Sequence, residues 1–253
     1  MTQPRLVLLR HGQSEWNAAG IFTGWENAYL TAVGEEEAVR AGTLLAEHAV
    51  LPALAHTSLQ RRTIRTADLA LAAADRDWVP VRRSWRLNGR HYGALQGRNK
   101  AQVRQEYGEP QVTLWRRSYT ATPPPISAAA AELHRGDPRY QLLPPEARPR
   151  AESLRDVTAR LLPYWYDAIV PDLRATGCVL VVSHGNTLRA LVKHLESMPD
   201  DQIAGLDIPT GIPLVYQLGP DLSPDAVGGQ YLDPHAARQA IAAIKGGSYE
   251  QAG

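Results

Sequence analysis

The 253-residue chain contains one cysteine, Cys178, so an internal disulfide is excluded. Cys178 adjoins an apolar run, where a free thiol is most often a core residue. Long apolar runs are also absent: none approaches the ~20 residues of a membrane-spanning helix. The opening MTQPRLVLLR is too short in apolar residues for a secretory signal, and the chain is expected in the cytoplasm. Charge of one sign is lacking as well. The net charge of +1 gives no global field for nucleic acid. There is no GxxxxGK[ST] loop, no GxGxxG turn and no Cys/His cluster with metal spacing, so neither a nucleotide nor a metal is expected.

What is present is a pattern used twice. Leu6 to Leu9 is a short apolar run suited to a strand buried on both faces, and Arg10, His11 and Gly12 follow directly. Val179 to Val182 is a second such run, followed by Ser183, His184, Gly185 and Asn186. In open α/β sheets ligands bind outside the carboxyl ends of the strands. Two strand–His–Gly turns therefore suggest two parallel strands delivering two imidazoles to one place.

The rest of the chain reads as α/β. Residues 18–30 form a polar loop with Thr23, Gly24 and Trp25 at its tip, expected to cover a site from the surface. Thr31 is an expected N-cap, with Glu35 to Glu37 near the positive helix end. Ala38, Val39, Leu44, Leu45 and Val50 form a helical stripe ending near His48. His56 to Ser58 close a short strand. The next helix opens with Arg61, Arg62 and Arg65, which oppose the helix dipole; at least one of them is expected to hold an anion. Another strand falls at 79–83.

Arg82 to Arg117 holds nine Arg and Lys residues against Glu106 and Glu109, a cluster that would focus small anions. Arginine suits carboxylate and phosphate because its planar fork bonds two oxygens. Residues 120–150, rich in Pro and Ala, read as an irregular insertion. A helix is expected from Glu152 to about Asp172, kinked at Pro163, and another from Asn186 to Glu196. A strand is expected over Leu214 to Leu218 after the turn PTGIP. The tail from Tyr231, with a helical stretch Ala236 to Ile244 ending at Gly246 and Gly247, is expected to be mobile.

Two histidines and several arginines without a metal suit transfer of a phosphoryl group through a covalent phosphohistidine. The charge on the transferred group can be stabilised by fixed arginines. Two structural histidines in a sugar- or anion-binding protein remain the alternative at this level.

LVLLRHGQSEWN with FTGW, TSLQRRTIRTA, RHYGALQG, WRRSY, PPPI, VVSHGNTLRALVKHL and IPTGIPLVYQL resembles the bisphosphoglycerate-dependent phosphoglycerate mutases of the histidine phosphatase superfamily. The likeness runs from Leu6 to Pro234. It implies a single three-layer α/β/α domain over 1–253 with a mostly parallel central sheet. It also implies exchange between 2- and 3-phosphoglycerate in glycolysis and gluconeogenesis. By resemblance, His11 is the residue phosphorylated, His184 stabilises the phosphoryl group in flight, and Arg10, Arg62 and Asn17 contact it. Ser14, Thr23, Gly24, Arg90, Tyr92, Lys100, Arg116, Arg117, Gly185 and Asn186 hold the remaining substrate groups. The primer is 2,3-bisphosphoglycerate, no metal is used, and the assembly is a homo-oligomer, a dimer or a tetramer. The partner is a small phosphorylated three-carbon acid.

One departure stands out. The family pattern has Glu directly before RHYG, as general acid and base, and this chain has Gly89 there. Glycine cannot shuttle a proton, and loss of such a group costs ~10²–10⁴-fold. No carboxylate lies within ten residues of Gly89; Glu15 or a water is the expected partial substitute. A phosphatase using the same phosphohistidine, or a degenerate paralogue that binds phosphorylated ligands, fits the same residues.

Overall fold

A computed structural model describes residues 3–245 of the chain. Its strands are β1 (Arg5–Arg10), β2 (Leu54–Thr57), β3 (Val81–Arg83), β4 (Cys178–Ser183), β5 (Leu214–Gln217) and β6 (Gln230–Tyr231). They form one sheet in the order β3-β2-β4-β1-β5-β6. The first four strands run parallel, and β5 is antiparallel to both β1 and β6. The sheet is thus mixed and mostly parallel.

The apolar run of β1 is buried on both faces because its side chains alternate between two cores. Leu6 and Leu8 pack in one core with Leu161, Trp165, Leu188 and Leu191 from the helices Leu154–Tyr164, Trp165–Ile169 and Gly185–Leu195. Val7 and Leu9 pack in the other with Ala41, Leu45, Ala67 and Ala70 from the helices Ala32–Glu47 and Arg61–Ala73. This is the expected three-layer α/β/α arrangement.

Register places the chemistry. Arg10 of β1 is paired with Ser183 of β4, so the next residues, His11 and His184, emerge at the same level. Thr57 of β2 is paired with Val182, which brings Ser58 level with Ser183, one residue before His184. Beyond His11 the chain passes so close to the next helix that a Cβ on Gly12 would overlap the Gly34 carbonyl oxygen. Only glycine fits there.

Local signals held at most ends. Thr31 caps its helix by accepting from Gly34 N at 3.1 Å. Val39, however, is 43% exposed; Ala41 and Gly42 supply the buried stripe in its place. The helix starting at Leu154 runs to Tyr164, then widens into a π-turn over Trp165–Ile169 before continuing as Val170–Thr176. Pro163 lies at that change, consistent with its missing N–H donor. The insertion at 120–150 carries more order than expected: a helix at Ala128–Arg135 and 3₁₀ turns at Pro138–Tyr140 and Pro145–Ala147. The segment read as a tail contains the helix Pro234–Lys245, and Gly246 and Gly247 lie outside the described residues. Among the described residues no helix is long and apolar enough to cross a membrane.

Candidate active site

The carboxyl ends of β1, β2 and β4 open into a cavity of about 190 Å³. Of the residues singled out from sequence, Arg10, His11, Asn17, Thr23, Gly24, Arg62, Arg90, Tyr92, Lys100, Arg116, Arg117, His184, Gly185 and Asn186 all line it. Ser14 does not. Its side chain is buried and accepts from Asn17 N at 3.2 Å, while Asn17 Oδ1 accepts from Ser14 N. This reciprocal capping box starts the one-turn helix Glu15–Ala18 and orients Asn17.

The imidazoles of His11 and His184 stand edge to face with ring centres 4.9 Å apart. His11 Nδ1 lies 2.7 Å from the Gly12 carbonyl oxygen. A carbonyl only accepts, so Nδ1 carries the proton and Nε2 keeps its lone pair. Arg62 Nε donates to that lone pair at 3.2 Å. Burial, followed by Arg62 and Arg10, holds the His11 pKa well below the ordinary value. A neutral imidazole with its lone pair toward a cationic cavity is what an attacking nucleophile requires. His184 is also held neutral, by burial and then by Arg62 and His11.

Arg62 is the one of three helix-opening arginines that turns inward. Its remaining nitrogens donate to the Glu26 and Gly24 carbonyls at 2.7 and 3.0 Å. Arg61 instead stacks on Tyr29 at 3.8 Å, and Arg65 pairs with Glu35 at 2.8 Å. The loop at 18–30 is a buried wall rather than a surface cover: Phe22, Thr23 and Trp25 are all largely shielded. Trp25 packs on Tyr140 of the insertion, ring centres 4.8 Å apart.

Four of the nine cations between Arg82 and Arg117 reach the cavity: Arg90, Lys100, Arg116 and Arg117. Others are spent elsewhere, Arg82 on Asp172, Arg98 on Glu106 and Arg104 on Glu109. Arg90 is fully buried, with Nη2 donating to the Trp115 carbonyl at 2.6 Å. Its Nε and Nη1 have no hydrogen-bond partner among the described residues. Orphaned guanidinium donors at a cavity wall call for an anion. Burial would raise the Tyr92 phenol, yet Arg90, Arg116, the hydrogen bond from Asn186 and Lys100 together outweigh it and hold the group at about 8.

Several site residues escaped the sequence. Arg189 lines the cavity and joins the Ile203 carbonyl at 2.6 Å to Asn186 Oδ1 at 2.8 Å; Asn186 Nδ2 then donates to Tyr92 Oη at 2.9 Å. Its sign in the sequence was a cation inside the otherwise apolar run Leu188 to Val192. Glu152 and Arg160 form a buried ion pair at 2.6 Å. Arg160 donates to the Arg86, Asn88 and Gly89 carbonyls, and Glu152 accepts from His91 N at 2.7 Å. The pair pins the segment that carries Gly89 and Arg90. Glu15 is exposed and does not line the cavity, so it is not the substitute carboxylate. Asp207 is the one carboxylate at the cavity wall among the described residues, and it is committed to Arg117 at 2.6 Å.

The residues from 6 to 138 and from 127 to 215 match the model of the histidine phosphatase superfamily, branch 1. The chain belongs to the histidine phosphatase superfamily. A Thermobifida fusca protein named 2,3-bisphosphoglycerate-dependent phosphoglycerate mutase is 60% identical over 240 residues, covering 95% of this chain and 97% of its own. A Streptomyces griseus protein of the same name is 60% identical over 241 residues, 95% of each chain. Among solved structures, a mycobacterial glucosyl-3-phosphoglycerate phosphatase is 26% identical with a TM-score of 0.66, covering 84% of this chain and 92% of its own.

A buried His outside the cavity sets an acid limit on this superfamily member. His56 is packed between Tyr164 Oη at 2.9 Å and Asp172 at 3.2 Å, and burial pulls it from 6.5 to about 4 despite Asp172. The unfolded chain takes up a proton at about 6.5 that the folded chain refuses until about pH 4. Stability is therefore full above pH 6.5 and drains as pH falls through that window. Between pH 7 and pH 5 the loss from His56 alone should be on the order of 2 kcal/mol, and His11 and His184 add to it with the same sign. Urea unfolding at the two pH values measures this; equal midpoints would contradict it.

Proposed function

We propose that the protein interconverts 2-phosphoglycerate and 3-phosphoglycerate through a phosphohistidine at His11, primed by 2,3-bisphosphoglycerate. The observation that carries this reading is the unprotonated Nε2 of a neutral His11, met by Arg62 at 3.2 Å beside His184 in a cavity walled by arginines. The 60% identity to proteins named as such mutases supports the choice of substrate.

The cavity suits a bisphosphorylated three-carbon acid. His11 takes the phosphoryl group on Nε2, with Arg10, Arg62 and Asn17 around its oxygens. Arg62, which donates to Nε2 in the free protein, turns that donor to a phosphoryl oxygen. Gly185 supplies a backbone donor at the start of the helix Gly185–Leu195, where the dipole favours an anion. Thr23, Gly24, Arg90, Tyr92, Lys100, Arg116, Arg117 and Asn186 hold the substrate's other phosphate and its carboxylate, with the orphaned donors of Arg90 as the natural partners. In the reverse step the phosphoryl group passes from His11 to the free hydroxyl of the monophosphate.

A phosphatase is the second reading, supported by the solved phosphatase of like fold and by glycine at position 89. A coupled assay with 3-phosphoglycerate, run with and without 2,3-bisphosphoglycerate, separates the two. A mutase gives 2-phosphoglycerate in a reaction accelerated by the bisphosphate; a phosphatase gives inorganic phosphate at an equal or greater rate. Neither product, with thermal protection by 3-phosphoglycerate retained, would mark a binding protein and end the mutase reading.

A further inference from the structure

The cavity wall is charged almost wholly in one sense. Seven Arg and Lys side chains line it, and Asp207 is the one carboxylate there among the described residues. Asp207 follows the 3₁₀ turn Gln202–Gly205 by two residues, and its side chain is 8% exposed. Arg117 ends the helix Glu109–Arg117, where the helix dipole already favours a cation. Arg117 Nη1 donates to Asp207 Oδ1 at 2.6 Å. The next residue, Ile208, accepts from Arg10 Nη1 on its carbonyl at 2.8 Å. One short segment therefore holds the cation that adjoins His11 through its backbone and a second cation through a negative charge. The difference matters. A carbonyl is neutral and leaves the charge of Arg10 whole, whereas a carboxylate cancels much of the field of Arg117. Asp207 is felt further along the wall as well. Burial lowers the Arg189 guanidinium to about 10, Arg117 and Arg90 push it the same way, and Tyr92 and Asp207 oppose them.

We infer that Asp207 is a release residue: it competes with the ligand's outer anionic group for Arg117 and so sets how tightly the bisphosphate is held. The inference rests on the function proposed above. Exchange between the two monophosphates forms the bisphosphate on the protein. That molecule has to turn in the cavity, or leave and return, before its other phosphoryl group faces His11. Binding that is equally strong in every state does not speed such an exchange. A phosphate monoester carries about −1.5 to −2 charges at neutral pH, so the bisphosphate exceeds either monophosphate by that amount and is gripped hardest by a cationic wall. Asp207 acts against that grip in two ways. Its like charge penalises ligands in proportion to their own charge. It also gives Arg117 a partner whenever the ligand's group lets go, so that release leaves no unpaired cation in a partly buried site. Asp207 touches Arg117 and not the reacting atoms; it grades ligands by charge and has no part in the bond-making step.

The test is the affinity of Asp207→Asn, which keeps the shape and an acceptor oxygen for Arg117 but removes the charge. Binding is measured by calorimetry in a His11→Ala background, where no phosphoryl group is transferred. At low salt the Kd for 2,3-bisphosphoglycerate should fall by ~10-fold and that for 3-phosphoglycerate by ~3-fold, with inorganic phosphate changing least. The gains should shrink as salt is added. With His11 in place, kcat and KM for exchange should fall together by ~3–10-fold, because the bisphosphate is slower to turn or leave. A salt bridge that only props up Arg117 gives the opposite result, since its loss weakens binding. Reduced or unchanged affinity for the bisphosphate, or an equal change for all three ligands, therefore overturns the inference. So does a gain that persists in full alongside Arg117→Met, because the competition is then not for Arg117. Asp207→Ser, which also lacks the charge, should give the same order of gains and serves if the Asn variant does not fold. Failure of the function itself looks different: no phosphohistidine forms on the unaltered protein, whatever the order of affinities.

Discussion

Alanine in place of His11 is expected to give a folded protein that takes up no phosphoryl group. Incubated with 2,3-bisphosphoglycerate, the unaltered chain should yield an acid-labile, base-stable phosphoprotein, and His11→Ala should show none above background. The effect is total because no second nucleophile is available. His184 Nε2 is engaged with the Ser58 hydroxyl at 2.9 Å, and Cys178, buried in β4, has its thiol pushed up to about 11 by burial. Folding should survive, since the His11 ring is bonded only to the Gly12 carbonyl and Arg62. Removing a buried neutral imidazole also removes one of the groups that oppose acid pH, so the variant should lose less stability on acidification. Equal labelling of both proteins would exclude His11 as the nucleophile.

The two histidines were legible because each follows directly on a run of residues buried on both faces, and sheet geometry sends the residue after a parallel strand to the ligand side. Ser58 stands at the same kind of position after β2, but nothing in a short, polar strand end distinguishes a hydroxyl that meets His184 from a turn. Its place comes from Arg10↔Ser183 and Thr57↔Val182 pairing, a register that joins segments more than a hundred residues apart. The basic stretch was a sound guide to charge and a poor guide to position. Arg82, Arg98 and Arg104 differ from Arg90 and Arg117 only in which way their elements face. The loop carrying Trp25 read as surface because its partners, Tyr140 and the carbonyl-seeking Arg62 and Gln60, come from other parts of the chain. Glu152 and Arg160 were invisible as a pair: their spacing of eight residues has no helical meaning when the helix begins only at Leu154.

Position 89 offers the second large effect, this time a gain. Gly89→Glu is sterically admissible because Gly89 is not among the glycines with positive φ. Its Cβ would lie 3.1 Å from the Gly24 carbonyl oxygen, 3.3 Å from His184 Cγ and 3.4 Å from Gln60 Oε1. The neighbours would have to yield by a few tenths of an ångström, a cost of about 1–2 kcal/mol in stability. From that position the side chain enters the cavity beside His184, among Arg10, Arg62 and Arg90. These cations would keep the carboxylate ionised between turnovers, and bound substrate phosphate would raise its pKa toward the working range. It would then be a proton carrier at the substrate hydroxyl. In the unaltered chain kcat for mutase exchange should rise by ~10²–10⁴, the usual scale for an added acid–base group. Affinity should change little, because the phosphate ligands are untouched. A coupled assay at saturating 3-phosphoglycerate on the two proteins gives the ratio. A correctly folded Gly89→Glu protein with no gain would mean that proton transfer does not limit this enzyme and that glycine at 89 belongs to a different reaction.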